Sequence, residues 1–322
     1  MSKVAAIVIG RNEGARLLAC LDSLAALDTV IYVDSGSTDG SAESARDLGV
    51  HVVDLDMTQP FTAARARNAG VSALREMGAE VDFVQFVDGD CVMEAGWIDA
   101  GRAFLDTHDG VAVASGRLRE RFPEASIYNA HCDREWDTPV GEVKACGGIA
   151  MMRLAAFEAE GGFDPTLIAG EEPELCVRLR AAGWTVHRID ADMALHDAAM
   201  TRFAQFWRRA RRAGFAYAEG AHMHGRPPER HFVSEMRRAL FWGGVLPLAI
   251  LVLWASLGPV FTLLFALYPA QILRIALRDG GTRPAFENAA LLTVAKFAEC
   301  LGVIEFYITK STRKRRKIIE YK

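Results

Sequence analysis

Residues 81–90 read Val-Asp-Phe-Val-Gln-Phe-Val-Asp-Gly-Asp. The run 81–87 is short, apolar and rich in Val and Phe, as in a strand buried inside a parallel sheet. It stops at Asp88-Gly89-Asp90. Residues at i and i+2 of an extended chain point to one side, so this spacing predicts two carboxylates facing one cavity. Open parallel sheets bind ligands at the carboxyl ends of their strands. Two hard oxygen donors there suit a divalent cation held against a diphosphate. Acidic pairs at strand ends are also common as solvated loops, so this pair needs support from its surroundings.

The segments before it repeat the same rhythm. Residues 3–9 form an apolar strand ending at Gly10, and Asn12-Glu13-Gly14 then opens a helical stretch through Leu24. A second strand, 29–33, leads into Asp34-Ser35-Gly36-Ser37-Thr38-Asp39-Gly40-Ser41. A helix at 42–48, a strand at 50–54 and a helix at 62–77 follow. Strands alternating with helices predict an α/β fold with a mostly parallel sheet. The small residues after Asp34 let the backbone approach a ligand closely. The same residue types cap helices. Both roles are compatible, with Asp39 or Ser41 capping while Asp34 accepts from a base. Residues 97–197 are more irregular, with strands at 111–116 and 186–189 and a helix at 172–182.

The ordered set Ile9-Gly10-Arg11-Asn12-Glu13-Gly14, Val33 through Ser41, Ala64-Arg65-Ala66-Arg67-Asn68-Ala69-Gly70 and Val87-Asp88-Gly89-Asp90 resembles glycosyltransferase family 2. The resemblance continues through Gly161-Gly162-Phe163-Asp164, Gly170-Glu171-Glu172-Pro173-Glu174-Leu175, Arg178 and Gly183-Trp184, covering roughly residues 3–220. It implies a GT-A, Rossmann-like fold and inverting transfer from a nucleotide-diphosphate sugar, with Mg²⁺ or Mn²⁺ as cofactor. Asn12, Glu13 and Asp34, with Ser35 and Asp39 beside them, would then bind the base and ribose. Arg65 would line the nucleotide pocket, Asp88 would lie near the ribose and metal, and Asp90 would ligate the ion. The family usually has Glu-Asp where this chain has Glu171-Glu172. Glu172 is then the expected general base, with Glu171 as the alternative. Acids opening a helix are also favoured simply by its dipole. His196 is a candidate third metal ligand and equally a structural histidine.

From Phe203 the composition changes. Aromatics mix with Arg208, Arg209, Arg211 and Arg212, which suits a helix in a membrane interface. Between Arg238 and Arg274 lie 35 residues without a charge, broken by Gly258-Pro259. Two short helices, 240–257 and 259–273, would form a membrane hairpin with both basic flanks in the cytoplasm. A buried core hairpin is the alternative. Segment 286–309 carries Glu287, Lys296, Glu299 and Glu305 and is expected to lie in the interface; a basic tail, 313–317, follows. Gln205-Phe206-Trp207-Arg208-Arg209 invites comparison with the QxxRW element of processive family members, but Arg209 replaces the Trp and processivity is not expected.

This reading divides the chain into a catalytic domain at 1–200, an interfacial helix and linker at 201–235, and a membrane region at 236–322. It places the protein at the plasma membrane, its catalytic part cytoplasmic, acting on a polyprenyl-linked saccharide in exopolysaccharide or glycoconjugate assembly. A membrane-bound nucleotidyltransferase and a non-catalytic scaffold with a degenerate transferase domain are the competing readings. At 51% hydrophobic and 24% charged residues the chain of 322 residues is no disordered segment. A net charge of −4 argues against a nucleic-acid partner. Its six cysteines contain no CxxC pair, and no charged stretch with an apolar run opens the chain. Reduced thiols acting as small buried hydrophobes are expected.

Overall fold

The computed structural model describes residues 2–312. It resolves into two compact units, Met1–Phe122 with Cys132–Ala198, and Pro123–His131 with Ala199–Lys322. The division falls near residue 200, but the short segment Pro123–His131 joins the C-terminal unit, which no linear boundary expresses.

Among the described residues of the first unit, nine strands form one sheet. They are β1 (Val4–Gly10), β2 (Val30–Asp34), β3 (His51–Asp54), β4 (Phe83–Asp88), β5 (Cys91–Met93), β6 (Val111–Glu120), β7 (Gly141–Glu142), β8 (Ala150–Arg153) and β9 (Thr185–His196). The order is β3-β2-β1-β4-β8-β6-β9-β5, with β7 also on β9. The first four are mutually parallel. β8 runs antiparallel between β4 and β6, so the sheet as a whole is mixed.

Alternation along the strands fills both faces. Ile7, Ile31, Val33, Val84 and Phe86 enter one core with Leu74, Phe157 and Phe163. Ala6, Val8, Tyr32, Phe83 and Val87 enter the other with Leu17, Leu21 and Trp97. The Ala63–Glu76 helix lies so close to β1 that a Cβ added at Gly70 would come 2.4 Å from Ile7 Cγ2. Buried Gln85 is satisfied by accepting from Trp97 Nε1 at 2.7 Å and donating to the Phe86 carbonyl at 2.9 Å.

Strand order reverses at β1, with β2 and β3 to one side and β4 to the other. That is where an α/β sheet opens a crevice beyond its carboxyl ends. The register sets Gly10 opposite Asp34 and Ile9 opposite Asp88. The loops after β1, β2 and β4 therefore meet at that crevice.

The second unit is helical. Phe203–His224 packs along Arg283–Thr312 through glycines: added Cβ atoms would lie 2.0 Å from the Glu299 carbonyl at Gly214 and 2.0 Å from the Arg211 carbonyl at Gly302. Segment 286–309 thus carries a packing face. Its Ala289, Ala295, Ala298 and Gly302 are buried, and the charge of buried Glu299 is met by Lys296 at 2.6 Å. Val233–Leu240 continues through a π-turn, Phe241–Val245, into Leu246–Leu257. After Gly258, a 3₁₀ stretch, Pro259–Ala266, runs into Leu267–Arg278. Val233–Leu257 and Pro259–Arg278 are each long and apolar enough to cross a membrane, and only 6% and 11% of their apolar windows are buried. The basic run 313–317 lies outside the described residues.

Candidate active site

Two loops form one wall of the crevice. Asn12, held at φ 57°, donates its N–H to Ser37 Oγ at 2.9 Å and accepts the Thr38 N–H on Oδ1 at 2.8 Å. The Ser35 N–H bonds the Gly10 carbonyl at 3.0 Å. Asp34 Oδ2 accepts from the N–H groups of Gly36 and Ser37 at 2.9 and 2.8 Å, while Oδ1 accepts from Tyr32 Oη at 2.8 Å. Burial and the Asp34 carboxylate together push the Tyr32 phenol well above its usual range. Asp39 Oδ1 accepts the Ser41 N–H at 3.0 Å, and its bond to Ser41 lowers its pKa. Glu13 pairs with Arg16 at 2.6 Å. Asn12, Glu13, Asp34, Ser35 and Asp39 are therefore brought together, largely through bonds that shape the two loops. Arg65 is not turned to this wall; its guanidinium donates to the carbonyls of Asp56, Gln59 and Pro60.

Asp88 and Asp90 diverge. The chain turns at Gly89-Asp90, and the Gly89 N–H bonds the Ile9 carbonyl at 2.8 Å, so the extended geometry needed for a shared face ends at Asp88. Asp88 Oδ1 accepts from Arg67 Nη2 at 2.9 Å. Arg67 Nη1 donates to Glu171 Oε1 at 2.8 Å and to Glu172 Oε1 at 3.1 Å. Burial pulls the guanidinium down, but Asp88, Glu172 and Glu171 outweigh it and hold the charge firmly on. Both glutamates open the Glu171–Ala181 helix after Gly170 at φ 81°. Burial, then the Glu171 carboxylate, push Glu172 up to about 7 against the pull of Arg67. Gly148 completes this cluster, since a Cβ there would lie 2.5 Å from Arg67 Nη2 and 2.6 Å from Glu172 Oε1.

Asp90 faces His196, the last residue of β9, with Oδ1 and Nε2 3.4 Å apart. Asp90, Cys91 and His196 bring a carboxylate oxygen, a thiol and an imidazole nitrogen within 4.8 Å of one another. Burial pushes the Cys91 thiol well up, so carboxylate and imidazole are the donors fit for a hard cation. One ion about 2.0–2.3 Å from each matches their separation. Glu120 Oε2 stands 3.9 Å from His196 Nδ1 and accepts the Ala198 N–H at 3.1 Å, and Trp136 meets the imidazole edge-on at 4.7 Å. Asp88, expected as a further ligand, is absent from this group.

The roles of Arg67, quoted only as part of the Ala64–Gly70 motif, and of Gly148 were not read from the sequence. The signal for Arg67 was helical spacing: Ala64, Arg67, Gly70, Val71 and Leu74 recur every three or four residues and are buried, which puts Arg65 on another face. Gly148 carries no local signal.

The family model described as Glycosyl transferase family 2 matches residues 5–157. Succinoglycan biosynthesis protein ExoA of Rhizobium meliloti is 27% identical over 226 residues, 65% of this chain and 66% of that protein. The pre-mycofactocin glycosyltransferase of Mycobacterium tuberculosis is 30% identical over 206 residues, 60% of this chain and 42% of its own length. The chain thus spans two-thirds or less of these curated relatives. Among solved structures, the Pyrobaculum calidifontis mannosyltransferase PcManGT in complex with GDP-Man and Mn²⁺ superposes with a TM-score of 0.64 at 21% identity, covering 94% of this chain and 87% of that one. Glucosyl-3-phosphoglycerate synthase of Mycobacterium tuberculosis gives 0.51 at 18% identity over 70% and 81% of the two chains. The fold is GT-A, and residues 5–157 match the glycosyl transferase family 2 model.

Proposed function

We propose that this protein is an inverting, metal-dependent glycosyltransferase that moves a sugar from a nucleotide-diphosphate sugar to a lipid-linked saccharide at a membrane. The observation that carries the reading is the crevice at the carboxyl ends of β1, β2 and β4. There a loop wall fit for a nucleoside and an Asp90–His196 pair fit for a cation stand at strand ends, and Arg67 ties Asp88 to the Glu172 carboxylate, poised near neutrality. A scaffold has no physical need for that combination, and a nucleotidyltransferase has no use for the raised glutamate.

Asp90 and His196 would hold Mg²⁺ or Mn²⁺, which when bound offsets the charge of a departing nucleoside diphosphate without a proton. Glu172 accepts the proton of the acceptor hydroxyl as that oxygen attacks the anomeric carbon. Its pKa of about 7 leaves it substantially ionised at neutral pH while making it a stronger base than an ordinary carboxylate. One base and one leaving group on opposite sides give a single in-line displacement, which inverts the anomeric centre. The exposed apolar surface of Val233–Leu257 and Pro259–Arg278 supports a membrane location and so a lipid-linked acceptor. The ExoA likeness supports exopolysaccharide or related glycoconjugate assembly.

The test is nucleotide release by purified full-length protein with a panel of UDP- and GDP-sugars, Mn²⁺ or Mg²⁺, and a bacterial lipid extract as acceptor. Release that needs both the extract and the metal is expected. No release from any donor overturns the transferase reading, and metal-independent release overturns the cation assignment.

A further inference from the structure

Arg67 joins carboxylates that belong to opposite sides of the proposed reaction. Asp88 ends a strand at the donor crevice, and Glu172 opens the helix that offers the base. Building on the transferase reading, we infer that Arg67 is a positioning residue, holding the Glu172 carboxylate in fixed register with Asp88 and leaving one glutamate oxygen for the acceptor hydroxyl.

The geometry has three parts. Nη1 serves Glu171 and Glu172 at 2.8 and 3.1 Å while Nη2 serves Asp88 at 2.9 Å, so one planar fork sets all three separations. The Arg67 side chain is 2% exposed, which keeps water from competing for those bonds. Among the described side chains the donor to Glu172 is Arg67, and it bonds Oε1 rather than Oε2. The lack of any side chain at Gly148 allows this arrangement, because a methyl group there would overlap both partners.

A purely structural role, neutralising three crowded acids, needs a buried positive charge but no fork. Lysine supplies the charge as a single point and cannot span both sides. The experiment therefore compares R67K and R67A with wild type in the nucleotide-release assay, with and without added guanidinium ion. R67K is expected to fold and to keep its donor KM within about threefold. Its kcat should fall about 10²-fold, the order expected when a reacting group is misplaced by about 1 Å. Guanidinium at millimolar levels should restore R67A turnover at least about tenfold by refilling the fork's position, whereas ammonium should not. An R67K kcat within about threefold of wild type overturns the inference. Should R67K fail to fold, R67A decides, and absence of guanidinium rescue overturns it. If wild-type protein releases no nucleotide, the transferase reading falls and takes this inference with it. If wild type is active and the variants are unaffected, only this inference falls.

Discussion

With Glu172 as the proposed base, a mostly buried glutamate poised near pH 7 makes turnover rise with pH. The base proposed at Glu172 acts only when ionised, and burial together with Glu171 raises its pKa to about 7. Transfer should therefore rise with pH from about 6 to 8 and level off once Glu172 is ionised. Glu172→Gln keeps the shape and removes the proton acceptor, so kcat should fall about 10²–10⁴-fold with the donor KM little changed, and the rise near pH 7 should vanish. Steady-state kinetics across that range check both. A larger loss in Glu171→Gln would move the base by one residue. Asp90→Asn and His196→Ala should each weaken Mn²⁺ binding without unfolding the protein, read directly by electron paramagnetic resonance of free Mn²⁺. Unchanged Mn²⁺ affinity in both variants would show that the cation sits elsewhere. At this scale the sequence carried the residue types but not their directions. The i, i+2 rule placed Asp88 and Asp90 on one face only while the chain stays extended, and the turn at Gly89 sends one to Arg67 and the other to His196.

At the scale of elements, the half of the sheet built from residues 3–90 was legible because its strands have mostly apolar centres and the first three are each followed by a helix. β5 and β7 have three and two residues, too few for any pattern, and exist because β9 offers them a partner. β8 is a four-residue strand whose antiparallel place between β4 and β6 is a tertiary decision. Segment 286–309 shows a packing role that its charges did not announce. Its charges suggested a wet face, but Glu299 is turned inward onto Lys296, and small residues let Phe203–His224 approach. That contact gives a further expectation. A Cβ at Gly302 would stand 2.0 Å from the backbone oxygen of Arg211, and backbone cannot move aside as a side-chain tip can. Gly302→Ala should overpack the pair and cost about 1–3 kcal/mol, lowering the melting temperature in detergent by several degrees. Gly225 is also tight, but at the end of its helix, so Gly302 is the cleaner site. A Gly302→Ala protein melting with wild type would mean that the two helices are not in that contact.

For the whole molecule, the decisive feature is where its apolar surface lies. A folded soluble unit does not leave Leu248, Leu257, Val260 and Leu263 at 64%, 64%, 61% and 72% exposure along two consecutive helices. Trp242 and Tyr268 can sit near an interface, with the Tyr268 hydroxyl donating to the Trp242 carbonyl at 2.7 Å. If these helices are in lipid, the hydrophobic effect and not charge holds the protein there, so high salt should leave it in the membrane pellet while detergent releases it. A substitution separates this from a soluble protein that merely self-associates. Leu263 touches little of its own chain, so Leu263→Lys would be close to neutral for a soluble fold. In a bilayer it places a charge in the apolar segment Pro259–Arg278, at a cost below the roughly 2.5–3.5 kcal/mol of a mid-span charge because Leu263 lies near one end. Leu263→Lys should therefore shift protein from the membrane to the soluble or aggregated fraction, with nucleotide release in detergent close to wild type. Equal membrane partitioning of the variant, or full-length protein that stays monomeric without detergent, would remove the membrane placement. The acceptor would then have to be sought among soluble saccharides or proteins.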